Sequence, residues 1–255
     1  MRRTRKAPRV EQPALFRRGG KRPGAGRKPN GPKPMVSHAT RPALSSRHPV
    51  LVTTRLCPGL PSLRNPEVRA VLLRAIRAGS DRPGFRIVEI SIQTSHLHSI
   101  AEAQDATALS RGLQGLHVRI ARALNEHWRR KGRVFVDRYH ERILRTPFEV
   151  RNALVYVLQN VRKHGVWIDG PDPYTSGPWF DGWRPGRFGA DRGDLVKRLG
   201  PRPTPGAKSW LLTTGWRLHG LIDIRERPRE QHASRSRRAG RARATGSSPA
   251  KTRSM

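Results

Sequence analysis

Cysteine is almost missing from this chain: Cys57 is the single thiol in 255 residues. No intramolecular disulfide can form, which excludes a disulfide-framed fold and points to a reducing, cytoplasmic setting. Long apolar runs are missing too. Nothing approaches the roughly 18 consecutive apolar residues of a membrane-spanning helix. The charged N-terminal stretch lacks the apolar run of a secretory signal. Acidic residues are scarce, 18 against 52 Lys and Arg, leaving a formal charge of +34. That excess favours a polyanion as partner, nucleic acid before an anionic membrane surface. Tyrosines number three, so chemistry on a tyrosine has few candidates.

What is present is unevenly spread. Residues 1–47 carry 14 Lys/Arg and one acid, and residues 225–255 carry ten and two. The middle keeps 28 basic and 15 acidic residues, so the folding part is itself basic. Four regions are expected: a disordered basic tail over 1–46, a domain over 47–183, an extension packing on it over 184–224, and a second disordered basic tail over 225–255. Within the first tail, "GGKRPGAGRKP" sets Lys21, Arg22, Arg27 and Lys28 among Gly and Pro. It reads as a minor-groove arm or as a solvated linker.

Between the tails, hydrophobic period predicts the order β-α-β-β-α-β-α. "HPVLVTTRL" is a β-branched strand. "NPEVRAVLLRAIRAG" is a helix with Asn65 as N-cap and Pro66 at N1, burying Val68, Leu72, Ala75 and Ile76. "FRIVEISIQ" and "HLHSIAEA" pair through a turn at "QTS". Leu109, Leu113, Leu116, Ile120 and Leu124 mark one long helix over 105–132, and its other face carries Arg111, Arg119, Arg122, Arg129 and Arg130. "RVFVDRYHERIL" predicts a strand. "TPFEVRNALVYVLQNVRKHG" predicts a helix opened by Thr146, Pro147 and Glu149 as a capping box. The first six elements spell an α+β, ferredoxin-like split βαβ fold. Its antiparallel four-stranded sheet is expected to carry helices on one face and leave the other free for a site.

His96 and His98, two apart on a strand, share a face. Neighbouring imidazoles suit a metal, although an H-x-H pair on a surface strand also arises by chance. On the last helix, Tyr156 and Asn160 stand at i and i+4 on one flank, at the border of core and water. Gln159 is expected to point away from the core, so if this helix supplies a third ligand, Asn160 is better placed than Gln159. Lys163 falls near Tyr156 as a phosphate contact. Tyr139 and Tyr174 are rivals without a ligand-type residue four positions on along a helix. Glu102 shares the parity of the histidines, as a further ligand or base or as a solvated edge acid. Arg138, His140, Arg119 and Arg122 are candidate DNA contacts. Trp210 and Trp216, in "SWLLTTGWRLHGLID", are either base-stacking platforms or buried packing.

An H-hydrophobe-H strand in a basic ferredoxin-like domain, followed by a helix with Y-x-x-x-N, resembles the single-tyrosine HUH transposases, and within them the REP-associated tyrosine transposases. "HLHSIAEA", "YVLQN" and "PDPYTSGPWFDGW" carry the likeness, over about Arg47 to Trp183. The resemblance implies nicking and joining of single-stranded or hairpin DNA through a 5′-phosphotyrosine link, by a monomer or homodimer without a nucleotide cofactor. It also implies Tyr156 as nucleophile and a divalent metal, Mg²⁺ or Mn²⁺, on His96, His98 and Asn160. Two other readings stand beside it: a transposase-derived DNA-binding protein without catalysis, and an RNA-associated ferredoxin-like protein. A nucleoid-associated location follows from the DNA readings.

Overall fold

The strand β1, Val50–Arg55, lies between two neighbours and sets the frame of the molecule. A computed structural model describes residues 42–228, apart from 137, 164, 166–167 and 187–188. Lys21, Arg22, Arg27 and Lys28, like nearly all of both tails, lie outside the described residues. The remaining strands are β2 (Asp81–Arg82), β3 (Phe85–Ile92), β4 (His96–Ala103) and β5 (His140–Ile143). They form one antiparallel sheet in the order β2-β3-β4-β1-β5. Without β2, a two-residue addition to the expected four strands, that is the order of a split βαβ fold.

Local chemistry explains the helices. In α1, Pro66–Arg77, the Asn65 side chain accepts from the amides of Glu67 and Val68, at 2.8 and 3.3 Å. This satisfies donors that a helix start leaves open. The long α2, Ala106–His127, starts on Asp105, whose carboxylate accepts from Ala108 N at 2.7 Å. Both lie on one face of the sheet and bury Leu72, Ile76, Leu113, Leu116 and Ile120 against Val50, Val52, Ile87, Ile90 and Ala101. Gly112 is what lets α2 come this close. A Cβ there would sit 2.2 Å from the Phe85 ring.

The second face is not left free, contrary to the sequence expectation. The helix α3, Pro147–Leu158, with its capping box from Thr146 and Glu149, packs Val150, Leu154 and Val157 over Leu51, Val88 and Ile100. The same layer takes in Trp216, 1% exposed, beside Phe180. Of the two tryptophans in the C-terminal apolar stretch, Trp216 is thus core, while Trp210 is 56% exposed. A short helix, Trp210–Thr213, and a 3₁₀ turn, Gly215–His219, form this outer layer. Glu102 anchors it. Its carboxylate accepts from the amides of Lys208 and Ser209, at 3.0 and 2.6 Å. It is therefore neither a solvated edge acid nor near the histidines, being four residues or about 13 Å along the strand from His98.

Two elements differ from their sequence reading. The strand predicted over Arg133–Leu144 reduces to His140–Ile143 plus a bridge between Leu56 and Phe135. Thr53 faces His140 while Leu56 faces Phe135, so the later chain holds two extra residues between matching points. Bulged pairing of this kind bends a strand and ends its ladder. The last helix also breaks. Gln159 leaves helical geometry (φ −117°, ψ 17°), and α4, Asn160–Lys163, restarts beyond it. Gln159 is 2% exposed, not solvent-facing. Its amide donates to the carbonyls of Asp223 and Ile224, at 3.0 and 2.7 Å, and accepts from Arg162 at 2.8 Å. The side of α3 away from the sheet is covered by the C-terminal segment, which helical period alone cannot reveal.

At the irregularity in β3, Glu89 is buried and bonded to the Ser176 hydroxyl and to Arg202, the latter at 2.7 Å. Burial pushes its carboxyl up from 4.5 to about 7, against the pull of Arg202. An acid raised in this way binds its proton more tightly in the folded chain than in the unfolded one. Its stabilisation is full below about pH 4.5 and is lost as the pH rises through about 7. Melting temperatures followed across this window should fall with pH in the wild type and fall less in Glu89→Gln; equal slopes would assign the dependence to other groups. Gly112→Ala should lower stability by about 1–3 kcal/mol by overpacking against Phe85, although alanine is the better helix former. A denaturant melt in which the alanine variant is the more stable would refute the close contact.

Candidate active site

The β1–β4 register builds the site. It sets Thr53 opposite His98 and Arg55 opposite His96. Alternation then points Thr53, Arg55, His96 and His98 to the α3 face, and Leu97 to the α1/α2 core. The His96 and His98 rings meet edge to face, 4.6 Å between centroids. His96 is half-buried and His98 is 3% exposed.

The helix α3 brings Tyr156 down onto this pair. The Tyr156 hydroxyl lies 3.2 Å from His98 Nε2, and the two rings are 4.8 Å apart. On the far side of the imidazole, Nδ1 lies 2.9 Å from the Thr53 hydroxyl. Asn160 is 1% exposed rather than at the border with water, and lies near enough to the Tyr156 hydroxyl to lower its pKa. Its carbonyl oxygen Oδ1 is buried with no partner. Asn160 opens α4 directly after the break at Gln159. Lys163 reaches over the Tyr156 ring, its Nζ 5.5 Å from the centroid. Burial raises the Tyr156 hydroxyl above its ordinary pKa of 10, and the Asn160 hydrogen bond and the Arg55 charge pull it back.

The other sequence candidates divide by position. His140 also faces Thr53, from the edge strand β5, and is exposed, with Arg138 exposed just before it. Arg119 and Arg122 are exposed on α2, which packs on the opposite face of the sheet, so they are not brought to Tyr156. The rival tyrosines are elsewhere. Tyr139 is buried in the α1/α2 core near His117. Tyr174 packs under Arg64, whose guanidinium is 4.4 Å from the ring and forks onto Asp172 at 2.9 and 3.0 Å. His117, bonded to Thr54 at 3.1 Å, is pushed down to about 4 by burial and stays neutral.

Thr53 and Arg55 were missed in the sequence. The signal that finds them is the register: once β1 and β4 are paired, both lie beside the histidines. Among the described residues, no group of three or more His, Cys, Asp or Glu could hold a metal ion. A divalent ion at this face would rely on two imidazoles and an amide oxygen. The residues fit that demand, because the Asn160 Oδ1 is a buried acceptor lacking any donor, an arrangement that ordinarily has an explanation.

No protein family matches the sequence, and no curated protein matches it. Among solved structures, the chain is similar to a REP-associated tyrosine transposase bound to a REP hairpin. Identity is 19% and the TM-score 0.44, over 67% of this chain and 92% of that one. A superposition that loose transfers nothing from that protein to this one. No described helix is long and apolar enough to cross a membrane.

Arg55→Gln should move the Tyr156 titration further up, since it removes one of the two influences that lower it. The difference in tyrosinate absorbance between each protein and its Tyr156→Phe counterpart isolates this residue. An unmoved titration would mean that the Arg55 charge does not act there.

Proposed function

We propose that the protein is a metal-dependent nickase and strand transferase for single-stranded DNA, acting through a 5′-phosphotyrosine link on Tyr156. One observation carries the reading: the Tyr156 hydroxyl sits 3.2 Å from His98 Nε2, with an unpartnered Asn160 carbonyl buried beside it. A border tyrosine with only a structural role has no need of that surrounding.

In this mechanism His96, His98 and Asn160 would hold a divalent ion, Mg²⁺ or Mn²⁺, whose contribution would be Lewis-acid polarisation of the scissile phosphate and neutralisation of its developing charge. Tyr156 loses its proton to solvent, helped by the cations Arg55 and Lys163, since a neutral phenol is a poor nucleophile near pH 7. Its oxygen attacks phosphorus while the bond to the 3′ oxygen breaks, and that oxygen leaves as a hydroxyl after taking up a proton. The phosphotyrosine preserves the bond energy, so the 3′-hydroxyl of another end reverses the step without a nucleotide cofactor. Lys163, Arg138 and His140 are suited to the DNA backbone on this face. Arg119, Arg122 and the N-terminal Lys21, Arg22, Arg27 and Lys28 suit it elsewhere.

Labelled single-stranded hairpin DNA, incubated with Mg²⁺ or Mn²⁺, should give a denaturation-stable protein–DNA adduct with wild type. Tyr156→Phe should give at least ~100-fold less, in line with loss of an essential nucleophile. Binding without any wild-type adduct would instead favour a DNA-binding protein that does not cut. An adduct persisting in the variant would move the nucleophile to another residue.

A further inference from the structure

The hydrogen bonds around Tyr156 have a direction, and it ends on a residue outside the proposed metal set. His98 is bonded at both ring nitrogens, Nδ1 to the Thr53 hydroxyl and Nε2 to the Tyr156 hydroxyl, and a neutral imidazole donates from one nitrogen and accepts at the other. A phenol is a far stronger acid than an aliphatic hydroxyl and a weaker acceptor, so Tyr156 is the partner that donates, to His98 Nε2 3.2 Å away. An Nε2 that accepts is unprotonated. In neutral imidazole the proton therefore sits on Nδ1, which donates to Thr53 Oγ1 at 2.9 Å.

We propose that Thr53 is a positioning residue that holds His98 in its Nδ1–H tautomer and so presents the Nε2 lone pair to the site. Free imidazole side chains favour the opposite tautomer, with the proton on Nε2. In the folded chain His98 is 3% exposed, so water does not substitute for an acceptor at Nδ1, and a buried donor without one is costly. The threonine is well fixed for the task. It lies directly opposite His98 in the β1–β4 ladder, with β5 on its other side. The β-branched side chain has few rotamers to choose from. Partners on the second imidazole nitrogen set tautomer and ring orientation at metal sites in general. Thr53 is placed for that role on whichever group Nε2 meets, a hydroxyl or an ion. The link to metal binding rests on the function proposed above; the tautomer does not.

The test compares wild type, Thr53→Ser and Thr53→Val by side-chain ¹⁵N–¹H NMR of His98, assigned by its loss in His98→Gln. Wild type and the serine variant should show a protonated Nδ1 and a bare Nε2. The valine variant, matched in shape and still β-branched, should populate the Nε2–H form. A wild type already protonated at Nε2, or a valine variant with the wild-type pattern, overturns the proposal. Thermal melts check that the valine variant folds; should it not, Thr53→Ala provides the same comparison. Mn²⁺ affinity on the same samples should weaken roughly tenfold in the valine variant and recover in the serine one. If the tautomer responds as expected while wild type binds no Mn²⁺, the role of Thr53 stands and the metal-dependent reading falls.

Discussion

The antiparallel pairing of β1 with β4 governs both faces of the molecule. It runs from Val50 opposite Ala101 to Arg55 opposite His96 without a shift. Residues of one parity, Val50 and Val52 with Ala101 and Ala103, are committed to the α1/α2 core. The other parity begins apolar, with Leu51 and Ile100 under α3, and turns polar toward one end, with Thr53, Arg55, His96 and His98. A slip of one residue would exchange the two sets, sending the histidines into an apolar core and apolar residues under Tyr156. The burial of Val50, Val52 and Ala101 therefore fixes the site as firmly as it fixes the fold.

On that base the polar end of the face is assembled from both sides. Strands supply groups at fixed spacing, and α3 supplies the tyrosine. The arrangement requires α3 to lie close over the sheet, and Leu51, Ile100, Val150 and Leu154 hold it there. The second sheet face thus does two jobs at once. Its apolar half is a core, and its polar half is the candidate site, whose roof belongs to the same helix. A fully open face would have left Tyr156 in water with its hydroxyl solvated, and a fully apolar one would have buried it without a partner.

Much of this was legible in the sequence, and the boundary of what was legible has physical causes. Caps and periods are local, so Asn65, Pro66, Thr146 and Glu149 marked helix starts correctly, and the leucine series marked the buried side of α2. The histidine pair and Tyr156 could be placed by alternation and by the i, i+4 rule. What failed was non-local. Gln159 looked solvent-facing because the chain that covers it, Asp223 and Ile224, lies more than sixty residues later. Glu102 looked like a solvated edge acid, or at most a site acid, because its partners, Lys208 and Ser209, are over a hundred residues away. Thr53 looked like any β-branched strand residue until a register gave it a neighbour.

Those non-local partners are concentrated in one stretch, and that concentration bears on the site. Gln159 is held by the carbonyls of Asp223 and Ile224, Arg151 forks onto Glu226 at 2.7 and 2.9 Å, and Glu102 seats the amides of Lys208 and Ser209. Each bond ties either α3 or the site strand β4 to the segment beyond residue 206. The bond at Gln159 acts most directly, because it sits at the helix break immediately before Asn160. Past the break Asn160 is 1% exposed, and the segment bonded to Gln159 at the break lies outside the split βαβ core. The third proposed ligand therefore follows directly on a residue that the C-terminal extension holds, while the two histidines sit on a strand of the split βαβ core.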